Sequence, residues 1–336
     1  MKITMNETDN TLRMFPDTRN IPEIKPKTFI LFPKELNYKQ SESLEIKQRE
    51  SLELIKNHLK IFKKCFVASS HGHDSIVLVH LITRACKALN IPMIDVWLNH
   101  TLNIYKEEPE YWKKINKFLS IENNFRIFYP PKLANGKQAT VYSIAESVGH
   151  LPTFRKAHNK TKNQSFPTPE CCHILKKQSV NSYLKQLPLE HRYDCHFVGT
   201  LAIESRIRRL GVLQRCRSYL TKYDKPYKIQ TVTPLSFWLK KDIADYMTMF
   251  QIPLNPAYTI HNQQRLGCAS CPAHKNWELR LAQDPTSEGL GMLKRNLIIL
   301  KETDMDRFNS SIQLLQKHKL VPQLINELQL TNKIMI

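Results

Sequence analysis

Apolar residues run through this chain in two rhythms. Over 46–62 they recur every three or four positions, with Leu52, Ile55, Leu59 and Phe62 on one side, which predicts an amphipathic helix. Cys65 to Ser69 is then a short continuous apolar run, the mark of a buried strand. The alternation repeats: helix over 75–89, ending near Asn90 and Pro92, strand over 93–98, helix over 110–119, strand over 125–129. Further on, a helix is predicted near 173–186, a strand over 194–198 and a helix over 242–250, and the chain from about 276 reads as largely helical. Strands separated by helices at this spacing imply an α/β fold with a parallel sheet and crossover helices. Residues 1–45 hold prolines at 16, 22, 26 and 33 and no helical period, so they are expected to form an extension. The main domain is expected over 46–275 and a helical C-terminal region over 276–336. The polar, proline-bearing stretch 158–170 reads as a loop.

Composition changes this picture in two ways. Fifty Lys and Arg stand against thirty Asp and Glu, a formal net charge of +20 over 336 residues. Such a charge attracts polyanions, nucleic acid first among them, although a basic surface that is merely solvated gives the same sum. The N-terminus MKITMNETDN has no apolar signal core, and no apolar run approaches the ~20 residues of a membrane span. A cytoplasmic protein away from membranes is therefore expected. Disulfides are rare there, so the eight cysteines call for another account.

Two segments carry candidate chemistry. In VASSHGHDSIVLVHL, 67–81, Gly72 lies between a predicted strand and a predicted helix, where backbone N–H groups and a helix N-terminus face an anion. Ser70 and Ser75 add hydroxyl donors, and Asp74 is placed to hold Mg2+ or to cap the helix. His71 and His73 would share one side of an extended segment, so a metal site with Asp74 is a rival reading, and a plain capped turn is another. The second segment pair is Cys171–Cys172 and, far downstream, Cys268-x-x-Cys271 between Gly267 and Pro272. Four thiolates from two places suit a 4Fe–4S cluster or structural zinc, while an unliganded doublet stays open. Cys65, Cys86, Cys195 and Cys216 read as buried and unliganded.

The pattern Ser70-x-Gly72-x-Asp74-Ser75 resembles the pyrophosphate-binding loop of the N-type ATP pyrophosphatase superfamily, which includes the phosphoadenosine phosphosulfate (PAPS) reductase family. His73 stands where many sulfurtransferases of that superfamily have lysine. The two cysteine motifs resemble those of the family's adenylylsulfate-reducing members. GTLAIESRIRRL, 199–210, is similar to its nucleotide-facing loop through Gly199, Glu204, Ser205, Arg206 and Arg209, with Thr200 and Leu201 in place of the frequent arginine. The stretch Pro234, Leu235, Trp238, Asp242, Ile243, Ile252, Pro253, Asn255, Pro256, Tyr258, Gly267, Cys268, Cys271 matches it closely. The resemblance spans roughly 65–275.

It implies a Rossmann-like (adenine nucleotide alpha hydrolase-like) sheet and binding of ATP and Mg2+ through Ser70, His71, Gly72, His73, Asp74, Ser75, Gly199, Glu204 and Ser205. Catalytic roles fall to Asp74, Ser75, Arg206 and Arg209, with Arg208 a further phosphate candidate, and Cys171, Cys172, Cys268 and Cys271 would hold a 4Fe–4S cluster. Reductases of the family carry a catalytic cysteine in a C-terminal tail, and this sequence has none after Cys271. The features lie nearest the iron–sulfur ATP pyrophosphatases of DNA phosphorothioation. The expected activity is ATP-dependent activation of nucleic acid for sulfur insertion, with DNA ahead of tRNA as acceptor and a cysteine desulfurase or other sulfur donor as partner. Sulfonucleotide reduction, tRNA thiolation and a non-catalytic nucleotide-binding module are the alternatives, and self-association is left open. The basic stretches 154–162 and 206–228 suit strand binding, the second interleaving Tyr219, Tyr223 and Tyr227 with Arg215, Arg217, Lys222, Lys225 and Lys228. A solvated helix and hairpin whose tyrosines pack inward is the rival reading.

Overall fold

The computed structural model describes residues 29–151, 170–222, 228–274 and 276–330. Its centre is a six-stranded sheet: β1 (Cys65–Ala68), β2 (Asp95–Asn99), β3 (Phe125–Phe128), β4 (Cys195–Val198), β5 (Ser218–Lys222) and β6 (Lys228–Val232). The order is β3-β2-β1-β4-β6-β5, parallel except for β5, which runs antiparallel to β6 at the edge. Val67 pairs with Val96 on one side, and Cys65 with Cys195 on the other. After β1 the chain moves outward through β2 and β3, then returns to place β4 on the opposite flank of β1. The carboxyl ends of β1 and β4 thus form the switch point where open α/β sheets bind ligands.

Alternate strand residues feed two cores. Val67, Val96, Leu98 and Phe197 face a layer made by α2 (Leu44–Ile61), α3 (His73–Leu89), α4 (Glu108–Leu119) and α8 (Lys240–Met249). α3 is buried almost all round, through Ile76, Val77, Leu78, Leu81, Ile82 and Ala85. It ends at Asn90 in the left-handed conformation. On the other face Phe66 stacks on Trp97 at 3.7 Å, against Val180 and Leu184. Those two belong to α6, which starts at Glu170–Cys172, widens into a π-helical stretch at His173–Gln178 and continues as Ser179–Gln186. α5 (Val141–Val148) precedes it, and α7 (Arg206–Arg215) lies between β4 and β5.

The predicted β1–α3–β2–α4–β3 series is observed, with ends displaced by one or two residues. Two helices of eight or more residues were not predicted. α1 (Pro33–Ser41) forms inside the expected extension, with Pro33 in its first turn, the Glu35 carboxylate accepting from Phe32 N at 2.6 Å, and Leu36 fully buried. α5 is the second. Over the basic stretch 206–228, read for strand binding, α7 and the β5–β6 hairpin form, which is the rival helix-and-hairpin reading. Within that stretch the Arg215 guanidinium lies 4.3 Å from the Tyr219 ring centre, while Arg217 stacks on Phe237 and approaches Glu50 at 3.7 Å. Tyr223, Lys225, Tyr227 and the stretch 154–162 lie outside the described residues, as does 158–169 of the predicted loop.

A short unpredicted helix, α9 (Pro256–Thr259), closes the main part of the chain, and the stretch from 276 is helical as expected: α10 (Trp277–Ala282), α11 (Ser287–Thr303), α12 (Met305–Lys317) and α13 (Pro322–Leu330). The last four share a core of their own around Leu293, Leu297, Phe308 and Leu315, which Ala145 and Leu151 join. No helix among the described residues is long and apolar enough to cross a membrane.

Candidate nucleotide cavity and four-cysteine site

A cavity of ≈ 250 Å³ opens at the switch point. The turn after β1 supplies Ser70, Gly72, His73, Asp74 and Ser75, and the turn after β4 supplies Gly199 and Glu204. Gly72 is the N-cap of α3 and offers no side-chain cap, so the N–H groups of the first turn have no acceptor inside the helix. They and the helix dipole favour an anion there. Hydroxyl bonds hold the turn: Ser75 Oγ accepts from Ser70 N at 3.2 Å and donates to Gly72 O at 3.0 Å. Asn255 clamps it from outside, donating through Nδ2 to His71 O at 3.3 Å while its Oδ1 caps α9 at Ala257 N.

Both cavity glycines are placed by close approach. A Cβ on Gly72 would lie 3.1 Å from the Tyr258 hydroxyl. One on Gly199 would lie 3.2 Å from the Asp74 backbone carbonyl, so β4 abuts the first turn of α3 only without a side chain.

The two histidines part company. His71 has φ 55°, is 1% exposed and sends Nε2 to Asn116 Oδ1 at 3.0 Å, so its ring faces the core and does not line the cavity. Burial pushes its pKa down to about 4. His73 does line the cavity, stacked on Tyr258 at 3.7 Å, and burial lowers its pKa too. The left-handed conformation of His71 itself breaks the extended geometry that a shared histidine face required. His73 Nε2 is buried with no hydrogen-bond partner.

The arginines also differ from expectation. Arg206 is exposed at the start of α7, and Arg209 turns toward α1, donating to Asn37 Oδ1 at 2.8 Å. Ser205 caps α7 by accepting from Arg208 N and lies outside the cavity lining. Arg208 reaches the cavity, one helical turn from Glu204, with which it pairs. Two cations that sequence reasoning did not assign stand with it: Lys240 at the start of α8, and Arg265, 3.6 Å from Glu204. Tyr258, Gln264 and Leu266 complete that wall. Lys-Lys ahead of Asp242 and Arg two residues before Gly267 were the only sequence signs. Burial raises the Asp74 carboxyl above the usual carboxylate range, against the opposing pull of Arg208, Lys240 and Arg265. The cavity therefore joins a carboxylate that can hold a metal ion to three cations that can hold phosphates.

The four cysteines converge. Cys171, Cys268 and Cys271 are buried in one apolar cluster, with Cys172 packed against it and Ala139, Val141, Ile144 and Leu175 around it. The Cys171 thiol and its neighbour share a hydrogen bond that holds Cys172 below, and Cys171 above, an ordinary thiol. Burial pushes Cys268 up and Cys271 to about 11. Lys176, from the π-helical stretch, feels all four sulfurs: burial lowers its ammonium, and the sulfurs together raise it above its usual value. Four thiols in an apolar shell beside one cation are compatible with an anionic iron–sulfur cluster. Cys65, Cys86 and Cys195 are buried in the core, and Cys216 is half-buried.

The sequence pattern of the phosphoadenosine phosphosulfate reductase domain matches residues 64–274, more than half of the chain. The chain belongs to that family. The PAPS reductase domain so defined contains the whole sheet, the cavity and all four cysteines, while α10–α13 lie beyond it. Adenosine 5'-phosphosulfate reductases of Mycobacterium bovis and Mycobacterium tuberculosis are 25% identical over 104 residues, which is 31% of this chain and 35% of theirs. Among solved structures, the PAPS reductase of Candida auris in its phosphate complex aligns with 71% of this chain and 96% of its own, at 13% identity and a TM-score of 0.44. The U34-tRNA thiolase of Methanococcus maripaludis with its 4Fe–4S cluster aligns with 76% and 80%, at 14% identity and a TM-score of 0.39.

Proposed function

We propose that this PAPS reductase-family domain uses ATP to activate a nucleic-acid oxygen for replacement by sulfur, with the DNA backbone as acceptor. One observation carries the reading. α9 and the segment after it put Tyr258, Gln264, Arg265 and Leu266 on the cavity wall and, two residues later, Cys268 into the sulfur site. Phosphate chemistry and thiolate chemistry are adjacent on one short loop.

The acceptor oxygen attacks the α-phosphorus of ATP, and pyrophosphate leaves. Activated in this way, the acceptor phosphorus is attacked by the sulfur donor and AMP departs. Asp74 would hold Mg2+, the first turn of α3 with Ser70 and Ser75 binds the leaving pyrophosphate, and Arg208, Lys240 and Arg265 offset its charge. His73, kept neutral, contributes a hydrogen bond in place of a fixed charge. Cys171, Cys172, Cys268 and Cys271 would hold the 4Fe–4S cluster, which would keep the acceptor region in shape, or would take up sulfur at an iron that one of the four thiolates releases. A cysteine desulfurase or comparable donor delivers that sulfur.

Sulfonucleotide reduction is the second reading, favoured by the mycobacterial reductases matched over 104 residues. Against it, no cysteine lines the cavity among the described residues. Pyrophosphate release from ATP, measured with and without DNA or tRNA, tests the proposal. Stimulation by DNA supports it, stimulation by tRNA alone moves the acceptor, and sulfite release from a sulfonucleotide with a thiol reductant replaces it with the reductase.

A further inference from the structure

A second set of metal-ligating side chains lies outside both the cavity and the four-cysteine site. Glu107 precedes α4, His261 follows α9, and Glu288 is in the first turn of α11. One ligand atom from each lies within 4.8 Å of the other two. His261 is fully buried, with Nε2 3.0 Å from Glu107 Oε2 and Nδ1 3.0 Å from Asp284 Oδ2. Asp284 is itself fixed, accepting from Thr286 N at 2.9 Å and Thr286 Oγ1 at 2.7 Å. Tyr105 stacks on the imidazole at 3.6 Å and sets its plane. An imidazole whose Nδ1–H is held by a carboxylate presents its Nε2 lone pair as a ligand.

Two charge states satisfy His261, and they differ in what they leave over. An imidazolium bonded to both Asp284 and Glu107 accounts for those two carboxylates. It leaves Glu288 Oε2, a buried oxygen with no hydrogen-bond partner, unexplained. A cation between Nε2, Glu107 and Glu288 accounts for all three groups and removes the cost of burying an unpaired carboxylate oxygen.

We propose that Glu107, His261 and Glu288 bind one divalent transition-metal ion of the zinc class, with Asp284 orienting the imidazole. One nitrogen and two carboxylate donors, none of them sulfur, suit such an ion and leave a further position for water. The ion ties together three distant parts of the chain. The loop that ends at Glu107 also carries Asn103, whose Nδ2 donates to Ser270 Oγ at 2.6 Å and whose carbonyl accepts from Ala269 N at 2.7 Å. The ion is therefore a staple between the C-terminal helices and the turn that bears Cys268 and Cys271.

The test uses the full chain, purified anaerobically, treated with a mild chelator and titrated with Zn2+ and with Co2+. One equivalent is expected beyond the metal of the four cysteines. Co2+ bound here shows d–d absorption without sulfur-to-cobalt charge transfer, which separates it from any ion on the thiols. Glu288→Gln, and independently Glu107→Gln, should weaken this equivalent tenfold or more with iron content unchanged. Zn2+ should raise the Tm of the wild type and leave that of Glu288→Gln in place. No sulfur-free equivalent in the wild type, or equal affinity in wild type and both variants, overturns the proposal and leaves His261 as an imidazolium. Neither result bears on ATP turnover, so the activation reading stands or falls separately.

Discussion

At the scale of single residues, the cavity turns on Asp74. Its carboxyl is raised by burial and restrained by Arg208, Lys240 and Arg265. Only the carboxylate binds Mg2+, so pyrophosphate release should fall as pH drops through a value above the usual ~4 of aspartate. Arg208→Gln removes part of the restraint and should move that acid limb to higher pH, read from kcat/KM against pH. The stability sign is opposite: a folded pKa above the unfolded one contributes at low pH and is lost as pH rises through the folded value. Asp74→Asn should cost about 100-fold or more in kcat/KM, about 2.7 kcal/mol, with iron content intact. Gly199→Ala is a steric counterpart. Its methyl, 3.2 Å from the Asp74 carbonyl, must push β4 and α3 apart, and a shift of a few tenths of an ångström in the phosphate turn should lower ATP affinity severalfold while the protein remains folded. Unchanged affinity, measured by equilibrium binding, would remove Gly199 from the cavity's design. Ser70, Gly72, Asp74 and Ser75 were legible because they fall within six residues on one strand–helix turn. Arg208 was harder to pick from three arginines, since the choice is set by helical phase relative to Glu204. Lys240 and Arg265 reach the cavity from segments 41 and 66 residues beyond Gly199, which no local pattern encodes.

At the scale of elements, the alternation of apolar runs made the central strands and crossover helices readable, because each buries a continuous stripe. The β5–β6 hairpin was obscured by the cations just ahead of it, Arg215 and Arg217, which lie over the rings of Tyr219 and Phe237. α1 was hidden by the prolines around it. Several motif residues that suggested chemistry prove to join elements. Trp238 donates to Ser51 of α2 at 3.0 Å, and Asp242 both caps α8 through Leu239 N and pairs with Lys47 of α2 at 2.6 Å. Lys47 is 2% exposed and also donates to Gln40 O, so the pair welds α2 to α8 across α3. Lys47→Met strands the Asp242 carboxylate with only its capping bond, which should destabilise the fold by about 3–5 kcal/mol in denaturant unfolding. Replacing both residues with apolar ones of similar volume should recover much of the loss, apart from the cap. A single variant as stable as wild type would show the pair to be superfluous to the α2–α8 packing.

At the scale of the whole molecule, the net charge of +20 separates the two readings of the activity. A small sulfonucleotide needs only the cavity cations. A nucleic-acid acceptor must also be held along its backbone, and each phosphate neutralised by Lys or Arg releases counterions. The logarithm of the affinity then falls linearly with the logarithm of salt, by about 0.9 per phosphate on duplex DNA. Arg208, Lys240 and Arg265 would meet phosphates held in the cavity at distances well inside the ~10 Å Debye length, so salt screens these contacts less than those spread along a backbone. Raising salt should therefore leave ATP turnover without DNA nearly constant, within about twofold, while the DNA concentration for half-maximal stimulation climbs steeply. With six phosphates engaged, a fourfold rise in salt should weaken DNA by about three orders of magnitude. The slope counts the phosphates held by the basic surface, and charge-reversing single substitutions there should each lower it by about one. Salt that depresses both activities in parallel would mean that the excess charge serves solubility alone, and the acceptor would then have to be small enough to fit the cavity beside ATP.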